Sequence, residues 1–202
     1  MTVTRVVDAD RPDPETLRAA AAVLRSGGTV AFPTESFYGL GADALAPEAV
    51  RRVFRLKGRP ESKPLLVLVD SVERALALAV DADPRARELM GRHWPGPLTL
   101  VLRAAPTVPG EVTAGGGTVG LRIPGHAVAL GLVRAAGRPV TAPSANPSGG
   151  SPPTRAEEVT RSLGPELDLV LDGGVTAGGA GSTVADCTVW PPRILRQGAI
   201  YL

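Results

Sequence analysis

Lys57-Gly58-Arg59-Pro60-Glu61-Ser62-Lys63-Pro64-Leu65-Leu66-Val67-Leu68-Val69 carries the change of pattern that decides the fold class. Before it, Pro47 opens a segment in which Val50, Val53 and Phe54 recur at helical spacing, and that period brings Lys57 to the last helical turn. After it, Leu65–Val69 is a continuous apolar run of strand length. A helix that passes through a short polar segment into a strand predicts an α/β chain. The same polar segment holds both lysines of the protein, Lys57 and Lys63, among 22 basic residues. In a chain this rich in Arg, Ala, Gly and Pro, a surviving lysine points to work that a compact ammonium does and a planar guanidinium cannot. Asparagine passes the same filter: its single copy, Asn146, lies in Thr141-Ala142-Pro143-Ser144-Ala145-Asn146-Pro147-Ser148-Gly149. Both stretches are candidate site segments; the alternative is chance or turn chemistry, since Asn-Pro and Pro-Ser are ordinary loop pairs.

Towards the N-terminus, Asp13-Pro14-Glu15 is a helix start whose Leu17, Ala20, Ala21 and Leu24 share one face, and Ser26-Gly27-Gly28 ends it. Thr29–Phe32 reads as a buried strand that delivers Pro33–Gly41 as a loop at its carboxyl end, where α/β sheets commonly bind ligands. Towards the C-terminus, Ser71 caps a short helix, Pro84 starts another that stops near Gly91, and His93–Pro97 is a rigid turn feeding the strand Leu98–Leu102. A Pro- and Gly-rich loop is expected from Pro106 to Gly117, then a strand over Thr118–Pro124, antiparallel to the one before because no helix intervenes. His126–Ala136 reads as a helix closed by Gly137. Thr154-Arg155-Ala156-Glu157 has capping-box spacing for a helix ending at Gly164, and Leu167–Leu171, Thr183–Val189 and Arg193–Leu195 complete the strands. About seven strands interleaved with five or six helices, without polar linker or repeat, predict a single α/β domain over residues 1–202, a mixed sheet with flanking helices.

Composition narrows the function classes. The chain is 44% hydrophobic but only 3% aromatic, so its core is built from Ala, Val and Leu. No apolar run approaches the ~18 residues of a membrane span, and Met1–Asp10 lacks the apolar centre of a signal peptide, so a cytoplasmic protein with no membrane partner is expected. A net charge of +2 neither requires nor excludes a nucleic-acid partner. The single Cys187 sits in an alternating pattern and reads as a small core residue, and two separated histidines make no metal cluster, so no protein-bound metal is predicted.

Three loops rich in Gly, Ser and Thr follow strands: Pro33–Gly41, Pro143–Ser151 and Gly173–Thr183. Their backbone N–H groups can approach a phosphate or carboxylate closely, although none is a Walker motif. Lys57 and Arg59, two apart at a helix terminus, can address one polyanion as a point charge and a fork, or can simply complement the helix dipole. Arg122 lies in an apolar strand and needs either a substrate carboxylate or an internal Asp or Glu. His126 reads as a helix start and Trp94 as core. No Ser-His-Asp order or carboxylate pair is present, and the inventory suits catalysis by positioning and charge stabilisation of a nucleotide whose phosphates carry Mg2+.

These motifs resemble the YrdC-like family, the threonylcarbamoyl-AMP synthases. The resemblance rests on Pro33-Thr34-Glu35 with Tyr38-Gly39-Leu40-Gly41, Lys57-Gly58-Arg59-Pro60 with Lys63-Pro64-Leu65, and Trp94-Pro95-Gly96-Pro97-Leu98-Thr99. It continues through Val119–Pro124, Ser144–Gly149, Gly181-Ser182-Thr183-Val184 and Ile194–Ile200, from about Leu17 to Ile200. It implies a twisted sheet open on a concave, positively charged face, and a nucleotidyltransferase that converts L-threonine, bicarbonate or CO2, and ATP to threonylcarbamoyl-AMP and pyrophosphate. It implies that Lys57, Arg59, Lys63, Thr118, Ser144, Asn146, Thr154 and Arg196 hold ATP, with Lys57 and Arg59 acting catalytically on the leaving pyrophosphate. Thr34, Arg122 and Ser182 would hold threonine, Arg122 taking its carboxylate. The product would enter tRNA threonylcarbamoyladenosine modification, with tRNA or double-stranded RNA and threonylcarbamoyl-transfer proteins as partners. Ser36-Phe37 and Leu68 depart from the pattern, the latter standing where some members place a histidine near threonine. Ending at Leu202, the chain resembles the short, single-domain type.

Two rivals stand beside this reading. One is a domain that adenylates carbamoyl phosphate. The other is a non-enzymatic double-stranded RNA or ribosome-associated binding protein, whose arginines would contact phosphates in a salt-sensitive way.

Overall fold

The computed structural model describes residues 2–202. Its elements are β1 (Val3–Val6), α1 (Pro14–Arg25), β2 (Val30–Pro33), β3 (Tyr38–Gly41), α2 (Pro47–Lys57), β4 (Leu66–Leu68), α3 (Val72–Ala77), α4 (Pro84–His93) and β5 (Leu98–Arg103). They continue through α5 (Gly110–Thr113), β6 (Thr118–Arg122), α6 (Ala127–Ala136), β7 (Val140–Thr141), α7 (Ala156–Leu163), β8 (Leu169–Asp172), β9 (Thr183–Asp186) and β10 (Arg193–Arg196). The expected caps form. Asp13 accepts from the Thr16 amide at 2.8 Å to start α1, and Ser71 accepts from Arg74 at 3.2 Å to start α3. Gly58 adopts the left-handed conformation (φ 54°) and donates its amide to Arg55 O, so α2 ends at Lys57 and the chain turns away at Arg59.

The strands form two hydrogen-bonded groups, β1-β8-β2-β3 and β10-β9-β5-β6-β4-β7. They meet at a seam where Leu40 donates to Pro143 at 2.8 Å, Thr141 to Ala42 at 3.0 Å and Ala145 to Tyr38 at 2.8 Å. The result is a twisted mixed sheet, with β5 and β6 antiparallel as expected and β4–β6 parallel. On the first group, α1 and α6 bury Leu17, Leu24, Leu132 and Val133 against Val30, Phe32 and Leu169. A second core joins Val50, Val53 and Phe54 of α2 to Leu65, Val67, Leu100 and Leu121. The sheet thus has helices packed on it, and the seam is left for loops.

Several expectations are corrected. The segment Pro33–Gly41 is not one loop: Tyr38–Gly41 is β3, paired with β2, because Tyr38 and Leu40 are fully buried and pairing overrides the turn propensity of Gly39 and Gly41. The Pro106–Gly117 loop contains α5, and α4 runs on to His93. The expected capping box does not form. Arg155, not Thr154, is the N-cap, and Glu158 rather than Glu157 reaches the Thr154 amide at 2.8 Å. Thr154 is held off the helix because its carbonyl accepts from Thr176 at 3.0 Å. Strands β1 and β7 were not expected; β7 is only two residues long and β1 is exposed throughout, so neither leaves a hydrophobic period to read. Among the described residues, no helix is long and apolar enough to cross a membrane.

Candidate active site

A cavity of about 650 Å³ opens along the seam, and all three Gly/Ser/Thr-rich loops reach it. The hairpin turn contributes Thr34, Ser36 and Phe37, the β7 side contributes Pro143 and Ser144, and the approach to β9 contributes Gly179–Ser182. Leu66, Leu68, Val101 and Gly120 form an apolar floor from β4, β5 and β6. Arg59, Arg122 and Arg196 stand on the wall, and no Asp or Glu does among the described residues. Such a cavity suits a ligand that is largely apolar or planar in body and anionic at two ends.

The residues expected to hold threonine share this wall. Arg122, 4% exposed, ends β6; its Nε donates to the Gly96 carbonyl at 2.8 Å and its Nη2 to Glu35 Oε2 at 2.5 Å. The sequence left open a substrate carboxylate or an internal acid as its partner, and in the described structure an internal acid, Glu35, is paired with it. Ser182 Oγ lies 3.0 Å from Thr99 Oγ1 and 2.8 Å from Arg196 Nη2, while Arg196 Nε donates to the Ser182 carbonyl at 3.0 Å. The Thr34 hydroxyl donates to Phe37 O at 2.6 Å, which closes the turn between β2 and β3. Burial, then the nearby Arg122 charge, pushes the Arg196 pKa down. Both guanidinium groups line the same cavity.

The residues expected to hold ATP divide. Arg59, Thr118, Ser144 and Arg196 line the cavity. Lys57, Lys63, Asn146 and Thr154 do not. Lys57 is 3% exposed and donates to the carbonyl oxygens of Ser144 and Asn146, each at 2.5 Å. Burial, reinforced by Arg59, pushes its pKa down to about 8. Asn146 Nδ2 donates to Pro147 and Gly150 at 2.8 Å each, fixing the turn that follows, and its Oδ1 is buried without a partner among the described residues. Arg59 holds its own loop through Nη2 to Pro64 O at 2.9 Å. Lys63 is exposed. Thr154 reaches towards Gly178, where an added Cβ would meet its methyl at 3.5 Å.

Sequence reasoning missed two contributors. Glu35 was read only as part of a motif, yet it is the counterion of Arg122. Gly198 packs so tightly on the Gly181–Thr183 segment that a Cβ there would sit 2.4 Å from Ser182 C. The run Arg196-Gln197-Gly198 carries no local sign of this. Cys187 is buried with its pKa pushed up to about 11 by burial and by Asp186, and the Trp94 indole donates to Leu98 O at 2.7 Å, both as core residues. His126 caps α6, its Nδ1 accepting from Val128 at 3.2 Å. No group of three or more His, Cys, Asp or Glu able to hold a metal ion occurs among the described residues.

Comparison with known proteins bears on this geometry. The Sua5/YciO/YrdC family model, described as telomere recombination, matches residues 22–198. The threonylcarbamoyl-AMP synthase of Pyrococcus abyssi is 46% identical over 92% of this chain, and that of Bacillus subtilis 44% over 93%. The chain spans about half the length of these curated relatives, 55% and 54% respectively. The crystal structure of P. abyssi Sua5 complexed with L-threonine superposes with a TM-score of 0.94 at 45% identity, over 98% of this chain and 58% of that one. With a family model covering residues 22–198 and 46% identity over 92% of its length, the chain belongs to the Sua5/YciO/YrdC family.

Proposed function

We propose that this chain is a threonylcarbamoyl-AMP synthase, a nucleotidyltransferase that makes threonylcarbamoyl-AMP, pyrophosphate and water from L-threonine, bicarbonate and ATP. The observation that carries the reading is one cavity lined together by Thr34, Arg122 and Ser182 and by Arg59 and Ser144. In this reading Arg122 takes the threonine carboxylate, while Thr34 and Ser182 orient the amino-acid side chain. The amine adds to bicarbonate or CO2 to give a carbamate. A carbamate oxygen then attacks the α-phosphorus, the bond from that phosphorus to the bridging oxygen breaks, and pyrophosphate leaves. Arg59 and Arg196 offset the charge that grows on the phosphates, and Ser144 and Asn146, held by Lys57, shape the loop against them. Lys63, Thr118 and Thr154 complete the nucleotide end. Magnesium arrives on the triphosphate as part of the substrate.

The acyl adenylate so formed is an activated donor, which suits transfer to tRNA by partner proteins in the cytoplasm. Pyrophosphate release is measured with L-threonine and bicarbonate each present or omitted. Release that requires both cosubstrates is expected. ATP binding without threonine-dependent release overturns the synthase reading, and turnover with carbamoyl phosphate instead would put the carbamoyl-phosphate rival in its place.

A further inference from the structure

Glu35 stands behind the cavity wall, not on it. Its neighbours Thr34 and Ser36 face the cavity, whereas its carboxylate points to Arg122 and Gly125. Oε2 accepts from Arg122 Nη2 at 2.5 Å and Oε1 from the Gly125 amide at 2.6 Å. Through Arg122 Nε the link extends to Gly96 O at 2.8 Å, so one carboxylate ties together three separate turns: Thr34–Phe37, the Gly96 turn before β5, and the Gly125 turn before α6. The approach is close enough that a Cβ on residue 125 would lie 3.0 Å from Glu35 Oε1.

A guanidinium has five N–H donors in a fixed plane. With Nε on Gly96 and one Nη2 proton on Glu35, the plane is held along one edge, and the other N–H groups have no protein partner among the described residues. We propose that Glu35 is a positioning residue for the amino-acid half of the reaction: it fixes the plane of Arg122, and so the direction in which the free N–H groups meet the substrate carboxylate. This rests on the synthase reading above. The charges agree with it. Arg122 and Arg196 both line the cavity, and Glu35 pairs with Arg122 from behind, which lowers the positive charge gathered there. Burial alone raises the Glu35 pKa, but the Arg122 charge and the Gly125 amide outweigh it and hold the group ionised. The nucleotide end, at Arg59 and Ser144, has no hydrogen bond to Glu35.

The test compares the native protein with Glu35→Gln and Glu35→Asp in pyrophosphate release, titrating threonine and ATP separately, with ATP binding measured by calorimetry. The KM for threonine is expected to rise about 10- to 100-fold in Glu35→Gln, with the KM and Kd for ATP changed less than about twofold. Glu35→Asp, which keeps the charge but is one methylene short of bridging both partners, is expected to fall between. In an Arg122→Lys background Glu35→Gln should add less than about twofold, because the fork through which it acts is gone. An unchanged threonine KM in either folded variant overturns the proposal. So does an equal loss of ATP affinity, which would mark Glu35 as a general scaffold residue. Absence of threonine-dependent release from the native protein is the separate failure, that of the synthase reading.

Discussion

The ammonium of Lys57 donates to the main-chain carbonyl of Asn146 at 2.5 Å, across 89 positions of the chain. These are one of the two lysines and the single asparagine of the protein, and they meet because α2 ends against the loop after β7. The chain returns the contact, since Ser148 donates its amide to Lys57 O at 2.7 Å. An ammonium can turn two protons onto two carbonyls on a short arc. A planar guanidinium of larger volume cannot enter the same 3% exposed position without displacing the loop.

Lys57→Met is therefore expected to leave the buried Asn146 carbonyl without a donor and Ser144 O with only the Asn146 amide at 3.0 Å, destabilising the fold by ~1–3 kcal/mol in urea unfolding. Pyrophosphate release should fall at least about tenfold, because the Ser144–Asn146 loop loses its anchor. Lys57→Arg should not restore either quantity. Full activity in Lys57→Met would remove the anchoring role.

Ser182→Ala removes the hydroxyl that Arg196 Nη2 and Thr99 Oγ1 share at 2.8 and 3.0 Å. A stability loss of ~1 kcal/mol is expected. The KM for threonine should rise more than the KM for ATP, which separate titrations of the two substrates resolve. The reverse order would move Ser182 to the nucleotide end.

The Glu35 carboxyl is held below its ordinary value of 4.5: burial works against this, but Arg122 and the Gly125 amide prevail. A carboxyl depressed on folding contributes stability that is fully present above its unfolded pKa and is lost as pH falls through the folded value. Unfolding midpoints in urea should therefore decline on acidification below pH 4.5, partly through this group. In Glu35→Gln that share of the acid limb should flatten. Burial pushes the His126 pKa below its ordinary 6.5 against the pull of Glu35 and Asp10, so His126 adds its own loss of stability on acidification. Superimposable acid limbs would show that the pair adds nothing to folding.

Gly198→Ala would push a methyl against Ser182 C, Thr183 N and Gly181 O at 2.4–2.6 Å, all main-chain atoms that cannot swing aside. Destabilisation of ~1–3 kcal/mol is expected, read as a lower melting temperature. Since Arg196 is two residues away and bonded to Ser182, substrate affinity should drop with it. A neutral Gly198→Ala would mean that the last segment is not held against β9 in solution.

Much of this protein is legible in the chain. Asp13-Pro14, Ser71, Pro84 and Gly137 mark helix ends because capping and proline geometry act within a few residues, and Leu65–Val69 or Leu98–Leu102 announce strands by their own apolar runs. The candidate site residues were nameable for a related reason: motifs such as Lys57-Gly58-Arg59 and Ser144-Ala145-Asn146 are contiguous. What the tertiary structure alone decided is how those groups are used. Tyr38–Gly41 became a strand because β2 and the chain beyond β7 lie on either side of it, which outweighs the turn preference of its glycines. Glu35 became the counterion of Arg122, and Lys57 a buried anchor instead of a residue on the cavity wall, through contacts 87 and 89 positions apart. Propensity and capping are local free energies that neighbouring residues carry with them. Desolvation and ion pairing exist only once folding has removed the water and brought the distant partner in.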